Sequence, residues 1–295
     1  MRALGAHTQY MEPQSRAESS RVLVKLACGL LLIIVFAVAA YVVGGKLLDK
    51  VVAFADTPQP FTRQFYRTID GNECNIAVVP LNGVMFATGG DPSMGVTAAN
   101  DIVAQIGQAE RDPNVKGIVL QINSPGGTLP AGEMIAEALK VLTKPSVALI
   151  QDMGDSSAYL AASGADRIIA SPYSDVGGIG VTNSFYDYSL DDGKFIQISA
   201  GKYKDAGNPD KPLTAEERRL FQKNVDEAYK VMIEQIAENR GLSTTTVKEL
   251  ADGFGVTGSM AIEPKLVDEL GGEEESRSWF RGQLGEGSNP VLCYF

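Results

Sequence analysis

Histidine is almost missing from this chain: one residue in 295, His7, sits near the start, far from anything that reads as a folded core. Cysteine is scarce too. Cys28, Cys74 and Cys293 are an odd number with no C-x-x-C spacing, so neither a zinc site nor a disulfide framework is indicated, and a single Cys74–Cys293 bridge stays open. Positive charge is short. Lys and Arg number 26 against 36 Asp and Glu, a formal net charge of −10 with no basic stripe to offset it; this argues against a nucleic-acid partner, whose phosphates need neutralising cations. Internal repeats and low-complexity tracts are also lacking.

What is abundant is hydrophobic sequence, 44% of residues, enough for a sizeable core. Residues 26–45, "LACGLLLIIVFAVAAYVVGG", form a charge-free run. As a helix it would extend about 30 Å, the thickness of a bilayer's hydrocarbon. The spacing predicts a transmembrane helix; a cleaved signal peptide is the alternative, because Ala37-Val38-Ala39 has a small-x-small pattern. Arg2, Arg16, Arg21 and Lys25 precede the run and Lys46, Lys50 and Arg63 follow it. That slight bias predicts a single pass through the inner or plasma membrane, with the bulk of the chain on the extracytoplasmic side. His7 then lies across the membrane from that bulk, and a Ser-His-Asp triad cannot be assembled. The expected organisation is a tail over 1–25, the span over 26–45, a stalk over 46–73, a globular domain over 74–272 and an acidic tail over 273–295.

Within the globular part, strand-like and helix-like stretches alternate. "CNIAVVPLNGVMF", "VKGIVLQI", "SVALIQDM" and "RIIAS" are short apolar runs rich in Val and Ile, the mark of buried strands. Between them "NDIVAQIGQAERD" and "AGEMIAEALKVL" carry apolar residues at helical spacing, and "SSAYLAASGA" follows the third strand. This order predicts an α/β domain with a mostly parallel sheet and right-handed crossover helices. Further on, Thr214-Ala215-Glu216-Glu217 has the pattern of a capping box, opening a long helix that closes near Gly241.

Two stretches follow the C-terminal ends of neighbouring strands, where open α/β sheets place their ligands. The glycines of "INSPGG" could aim backbone N–H groups into a cleft as oxyanion donors, or simply make a tight turn. In "GDSSAYLAAS", Ser156 at a helix start is a candidate nucleophile, or simply an N-cap.

Together with "NIAVVPLNG", "DPNVKGIVLQINSPGG", "ASGADRIIASPYSDVGGIGV", "GKYKDAGNPDKPLTAEE" and "AIEPKLVDELGG", these pieces resemble the signal peptide peptidase A family over about residues 75–272. Those serine peptidases are built on the Clp protease/crotonase-like core and use lysine as the general base. The resemblance implies Ser156 as nucleophile, three residues before Tyr159 and ten before Asp166. It puts the base on Lys204 of "GKYKD", with Lys202 two positions earlier as the alternative, and the oxyanion hole on the N–H groups of Gly127 and Ser157. A lysine base must be neutral to accept a proton, so a dry pocket is expected around it, with Ile179, Val181 and Tyr203 as candidate lining. The resemblance implies no metal or organic cofactor. It implies signal peptides and other membrane-associated polypeptides as substrates, and a homo-oligomeric ring, since each chain carries one catalytic half.

Two departures stand out. Gly178 occupies the place of a family serine thought to hydrogen-bond the base, with Thr182, Ser184, Ser157 or a water as its substitutes. Asp155 stands where a small apolar residue is common, which leaves Ser157 open as an alternative nucleophile. Two rival functions remain, a degenerate peptidase acting as a membrane scaffold and a crotonase-like acyl-CoA enzyme. The closing octapeptide "SNPVLCYF" reads either as a disordered tail or as a substrate-like segment tethered near the peptide groove.

Overall fold

The computed structural model describes residues 74–184 and 198–294. His7, Cys28, the apolar run and the stalk lie outside the described residues. In chain order the strands are β1 (Ile76–Asn82), β2 (Val84–Phe86), β3 (Val96–Ala98), β4 (Gly117–Ser124), β5 (Ser146–Asp155), β6 (Arg167–Ala170), β7 (Asp175–Gly177), β8 (Gly255–Thr257), β9 (Glu269–Leu270) and β10 (Leu292–Tyr294). The helices are α1 (Ala99–Arg111), α2 (Leu129–Lys140), α3 (Ser157–Ser163), α4 (Ala215–Arg240), α5 (Thr244–Leu250), α6 (Gly258–Ala261) and α7 (Glu273–Leu284).

The main sheet runs β10-β1-β4-β5-β6-β9 and every pair along that path is parallel. β7 continues alongside the end of β5, and β8 pairs with it antiparallel. This is the α/β, mostly parallel architecture that the alternating sequence predicts. The single apolar run expected at the start is broken at Gly83, where φ is +70° and a Cβ would stand 2.1 Å from the Gly95 carbonyl oxygen. Only glycine fits that turn. Beyond it, β2 pairs with β3 in a second, two-stranded sheet.

Strand periodicity of two divides the core cleanly. Ala77, Val79 and Leu81 of β1, Ile118, Leu120 and Ile122 of β4, and Ala148 and Ile150 of β5 share the larger cluster, with α1, α2, α3 and the C-terminal half of α4. Ile76, Val78, Val119, Val147, Leu149 and Ile169 face the other way. The strands are buried on both faces, which explains their nearly unbroken hydrophobic sequence.

What covers the second face corrects the expected domain boundary. Residues 273–294 are folded and not a tail. Glu273, Glu274 and Glu275 form the first turn of α7, where carboxylates suit the positive end of the helix, and the Gly272 N–H donates to the Glu275 carboxylate at 2.7 Å. Phe280 is fully buried in the second cluster, with Trp279 packed edge-on to it at 5.1 Å between ring centroids. A side chain at Gly117 would stand 2.4 Å from the Phe280 ring. The last residues then add β10 to the edge of the sheet, Leu292 opposite Ile76. Asn75 secures them, accepting from the Val291 N–H at 2.8 Å and donating to the Asn289 carbonyl at 3.1 Å. Cys74 and Cys293 form a disulfide. Leu292 and Cys293 are buried, so the Leu292–Tyr294 part of the octapeptide is an edge strand and not a tethered substrate.

Candidate active site

The site begins with an irregularity in β5. Ile122 of β4 faces Ile150 of β5, but Ser124 faces Gly154, so β5 carries two extra residues just before its end. Such a bulge bends a strand and re-aims the residues beyond it. Here the re-aimed residue is Ser156, in the abrupt turn between β5 and α3, with φ 55° and ψ −124°. For a residue with a side chain that conformation costs on the order of 1–3 kcal/mol and persists only where the surroundings impose it. In this turn they do. The Ser156 N–H donates to the Gly177 carbonyl at 2.7 Å, and the Ser156 carbonyl accepts from Tyr159 and Leu160 at 3.0 and 3.1 Å.

The hydroxyl of Ser156 makes no helix-capping bond, so the simple N-cap reading fails. Ser156 instead lines a cleft of about 590 Å³, together with Gly127, Thr128, Leu129, Gly178 and Val181 on one part and Tyr229, Ala251, Asp252 and Gly253 on another. Ser157 differs sharply. It is fully buried, and its Oγ has no hydrogen-bond partner among the described residues. α2 is pressed against it, since a Cβ on Gly132 would stand 2.3 Å from the Ser157 carbonyl oxygen. Of the two serines, only Ser156 borders the space a substrate could enter.

The "SPGG" loop packs against this turn. A Cβ on Gly126 would lie 2.9 Å from the Ser156 Cβ and 3.1 Å from the Ser157 nitrogen. Met85 fixes the loop by accepting from Thr128 and donating to Gly126, both at 2.9 Å, which leaves the Gly127 N–H outside the pair. A Cβ on Gly127 would stand 2.0 Å from the Met85 oxygen. The Ser157 N–H, as the first of α3, has no acceptor within its helix. Gly127 lines the cleft with Ser156, and Ser157 follows Ser156 directly in the turn. Ser124 holds the loop from below, accepting from Gly126 at 3.1 Å and donating to Gly83 at 2.6 Å. Sequence reasoning overlooked Ser124, and also Tyr229, Asp252 and Gly253, whose approach to the cleft depends on α4 and the loop after α5.

The expected lysine pocket is only partly present. Val181 and Thr182 line the cleft, while Ile179 is in the core. Tyr203 is exposed and donates to Glu216 at 2.6 Å. Lys202 also bonds Glu216, at 2.9 Å, and stands 4.7 Å from the Tyr203 ring centre. Its hydrogen bonds to Tyr203 and Glu216 push it up to about 12, the wrong direction for a base. Lys204 sits in a run of turns, its N–H donating to Gly201 at 3.1 Å; it is exposed and does not line the Ser156 cleft. The fold brings together Ser156, Gly127 and Ser157. Asp166 has a structural task, accepting from the Ser146 N–H and hydroxyl at 2.8 and 2.9 Å. No group of three or more His, Cys, Asp or Glu among the described residues is placed to hold a metal.

A family model described as Peptidase family S49 matches residues 138–285, and one described as Clp protease matches residues 90–176. The chain is 38% identical over 192 residues to a Methanocaldococcus jannaschii protein named as a protease, covering 63% of this chain and 61% of that one. It is 30% identical over 276 residues to an Enterococcus faecium protein named as a signal peptide peptidase, SppA, covering 86% and 78%. Protease 4 of Salmonella typhi is 30% identical over 260 residues, covering 79% of this chain and 41% of the relative. The chain thus spans less than two thirds of the archaeal and Salmonella relatives.

Proposed function

The chain belongs to peptidase family S49, serine peptidases of the Ser/Lys-dyad type, and from that premise we propose that it cleaves peptide bonds with Ser156 as nucleophile and Lys204 as general base. Ser156 Oγ attacks the scissile carbonyl carbon while its proton passes to the neutral Lys204 amine. The Gly127 and Ser157 N–H groups hold the resulting oxyanion. The lysine ammonium then protonates the leaving amine, and a water deprotonated by the same lysine releases the acyl group. The observation that carries this reading is the strained Ser156 turn, whose hydroxyl makes no capping bond to the helix and which borders the cleft.

Because Lys204 is exposed and off the Ser156 cleft, the pair is completed between copies, Lys204 of one meeting Ser156 of the next in a homo-oligomeric ring. Substrates are extended apolar polypeptides such as signal peptides and other membrane-associated chains; Leu129, Val181, Tyr229 and Ala251 give the cleft an apolar lining that suits them. Residues 26–45 anchor the enzyme in the inner or plasma membrane, with the catalytic domain on the extracytoplasmic side. The Cys74–Cys293 disulfide supports this, since such bonds persist in oxidising compartments.

A fluorophosphonate probe tests the reading. Labelling of the assembled enzyme is expected at Ser156, and is expected to vanish in both Ser156→Ala and Lys204→Ala. A well-folded oligomer that takes no label would instead be a scaffold.

A further inference from the structure

The two departures noted in the sequence, Asp155 and Gly178, meet in space. Asp155 is the last residue of β5, immediately before Ser156, and pairs with Gly177 of β7. A Cβ placed on Gly178 would stand 3.3 Å from both the Cβ and the Oδ1 of Asp155, and Gly178 lines the Ser156 cleft. From the other side, a Cβ on Gly255 of β8 would stand 3.3 Å from the same Oδ1 and 2.1 Å from the Oδ1 of Asp175. Two carboxyl groups therefore occupy the space that residues 178 and 255 leave by having no side chains.

The Oδ1 of Asp155 is buried and has no hydrogen-bond partner among the described residues. A buried acceptor without a donor is costly. Burial first, and the charge of Asp175 second, push Asp155 up to about 6. Of the groups around it, Asp175 on β7 is the charged one; Gly126 after β4, Gly255 of β8 and the uncharged α3 bring no cation. Among the described residues the fold thus keeps an acceptor beside Ser156 in sequence and supplies no donor for it. The proposed reaction supplies one, because the proton leaving Ser156 turns the base lysine into an ammonium within this small region.

We propose that Asp155 is a positioning residue for peptide hydrolysis, its carboxylate accepting a hydrogen bond from the lysine Nζ and stabilising the ammonium formed as Ser156 attacks. No bond to Asp155 forms or breaks; the proton moves from Ser156 Oγ to Nζ and on to the leaving amine. At the alkaline pH where the amine is neutral, Asp155 is ionised and able to accept. The inference rests on the Ser156/Lys204 reading above.

The test is the pH–rate profile of the full, assembled enzyme on an unstructured apolar peptide. Asp155→Asn keeps the size and removes the charge. It is expected to lower kcat about tenfold and to move the rising limb about one unit toward acid, because the lysine loses the charge that favoured its ammonium. KM is expected to hold. Asp155→Ala, which changes the shape as well, is expected to move the limb in the same direction. A wild-type limb in both variants overturns the proposal while Lys204→Ala remains inactive. Full activity in Lys204→Ala overturns the dyad reading itself.

Discussion

Ser156 and Lys204 stand in contrasting surroundings. Around Ser156 the backbone is held by Gly177, Tyr159 and Leu160, the neighbouring loop by Met85 and Ser124, and two glycines there have less than van der Waals room for a methyl group. Lys204 is exposed in a run of turns ahead of α4, a helix whose buried apolar residues lie in its second half. The contrast teaches where each half of the chemistry is prepared. The proposed nucleophile and oxyanion donors are held by one chain, so in that reading little is lost in ordering them during reaction. The proposed base lies on an exposed surface that a second copy would cover.

The largest expected effect tests that division directly. Ser156→Ala and Lys204→Ala should each lower kcat by about 10⁴-fold or more, with little further loss in the double variant. Mixing the two single variants and reassembling them should restore a fraction of the wild-type rate. Failure to recover any activity, with mixed oligomers shown to form, would return the base to the same chain as its serine. Next in size is Gly127→Ala, aimed at the constrained half. The new methyl collides with the Met85 oxygen 2.0 Å away, and displacing that N–H should cost about 10²–10³-fold in kcat. Steady-state kinetics beside a thermal melt will separate this from general loss of fold.

A third change is remote from both halves. Cys293→Ser opens the bridge between residues 219 apart and should lower stability by about 2–5 kcal/mol in denaturant titration, with kcat kept in the enzyme that remains folded. The smallest effect belongs to Lys202→Ala, expected to alter kcat less than about twofold, since this exposed ion pair with Glu216 contributes little. A large loss there, with Lys204→Ala active, would exchange the two lysines.

The nucleophile half was the legible one for physical reasons. Alternating apolar residues reveal β1, β4 and β5 because each face of the sheet is buried, and Thr214 with Glu217 reveals the start of α4 because the capping bonds are local. Other features depend on partners distant in sequence. α7 is hidden by its acidic first turn and because Ser276 and Phe280 are its buried residues, too few to print a helical period. The disulfide joins residues with no local relation. Asp155 and Gly178 read as two separate oddities until the pairing of β5 with β7 sets them side by side.

The bridge from Cys74 to Cys293 has a consequence for how the chain survives being cut. It fastens the first described residue of the domain to one of its last, so the intervening polypeptide is a covalent ring. A single cut anywhere inside that ring leaves both fragments attached. Nicked molecules would migrate as one band on a non-reducing gel and as two only after a reductant is added.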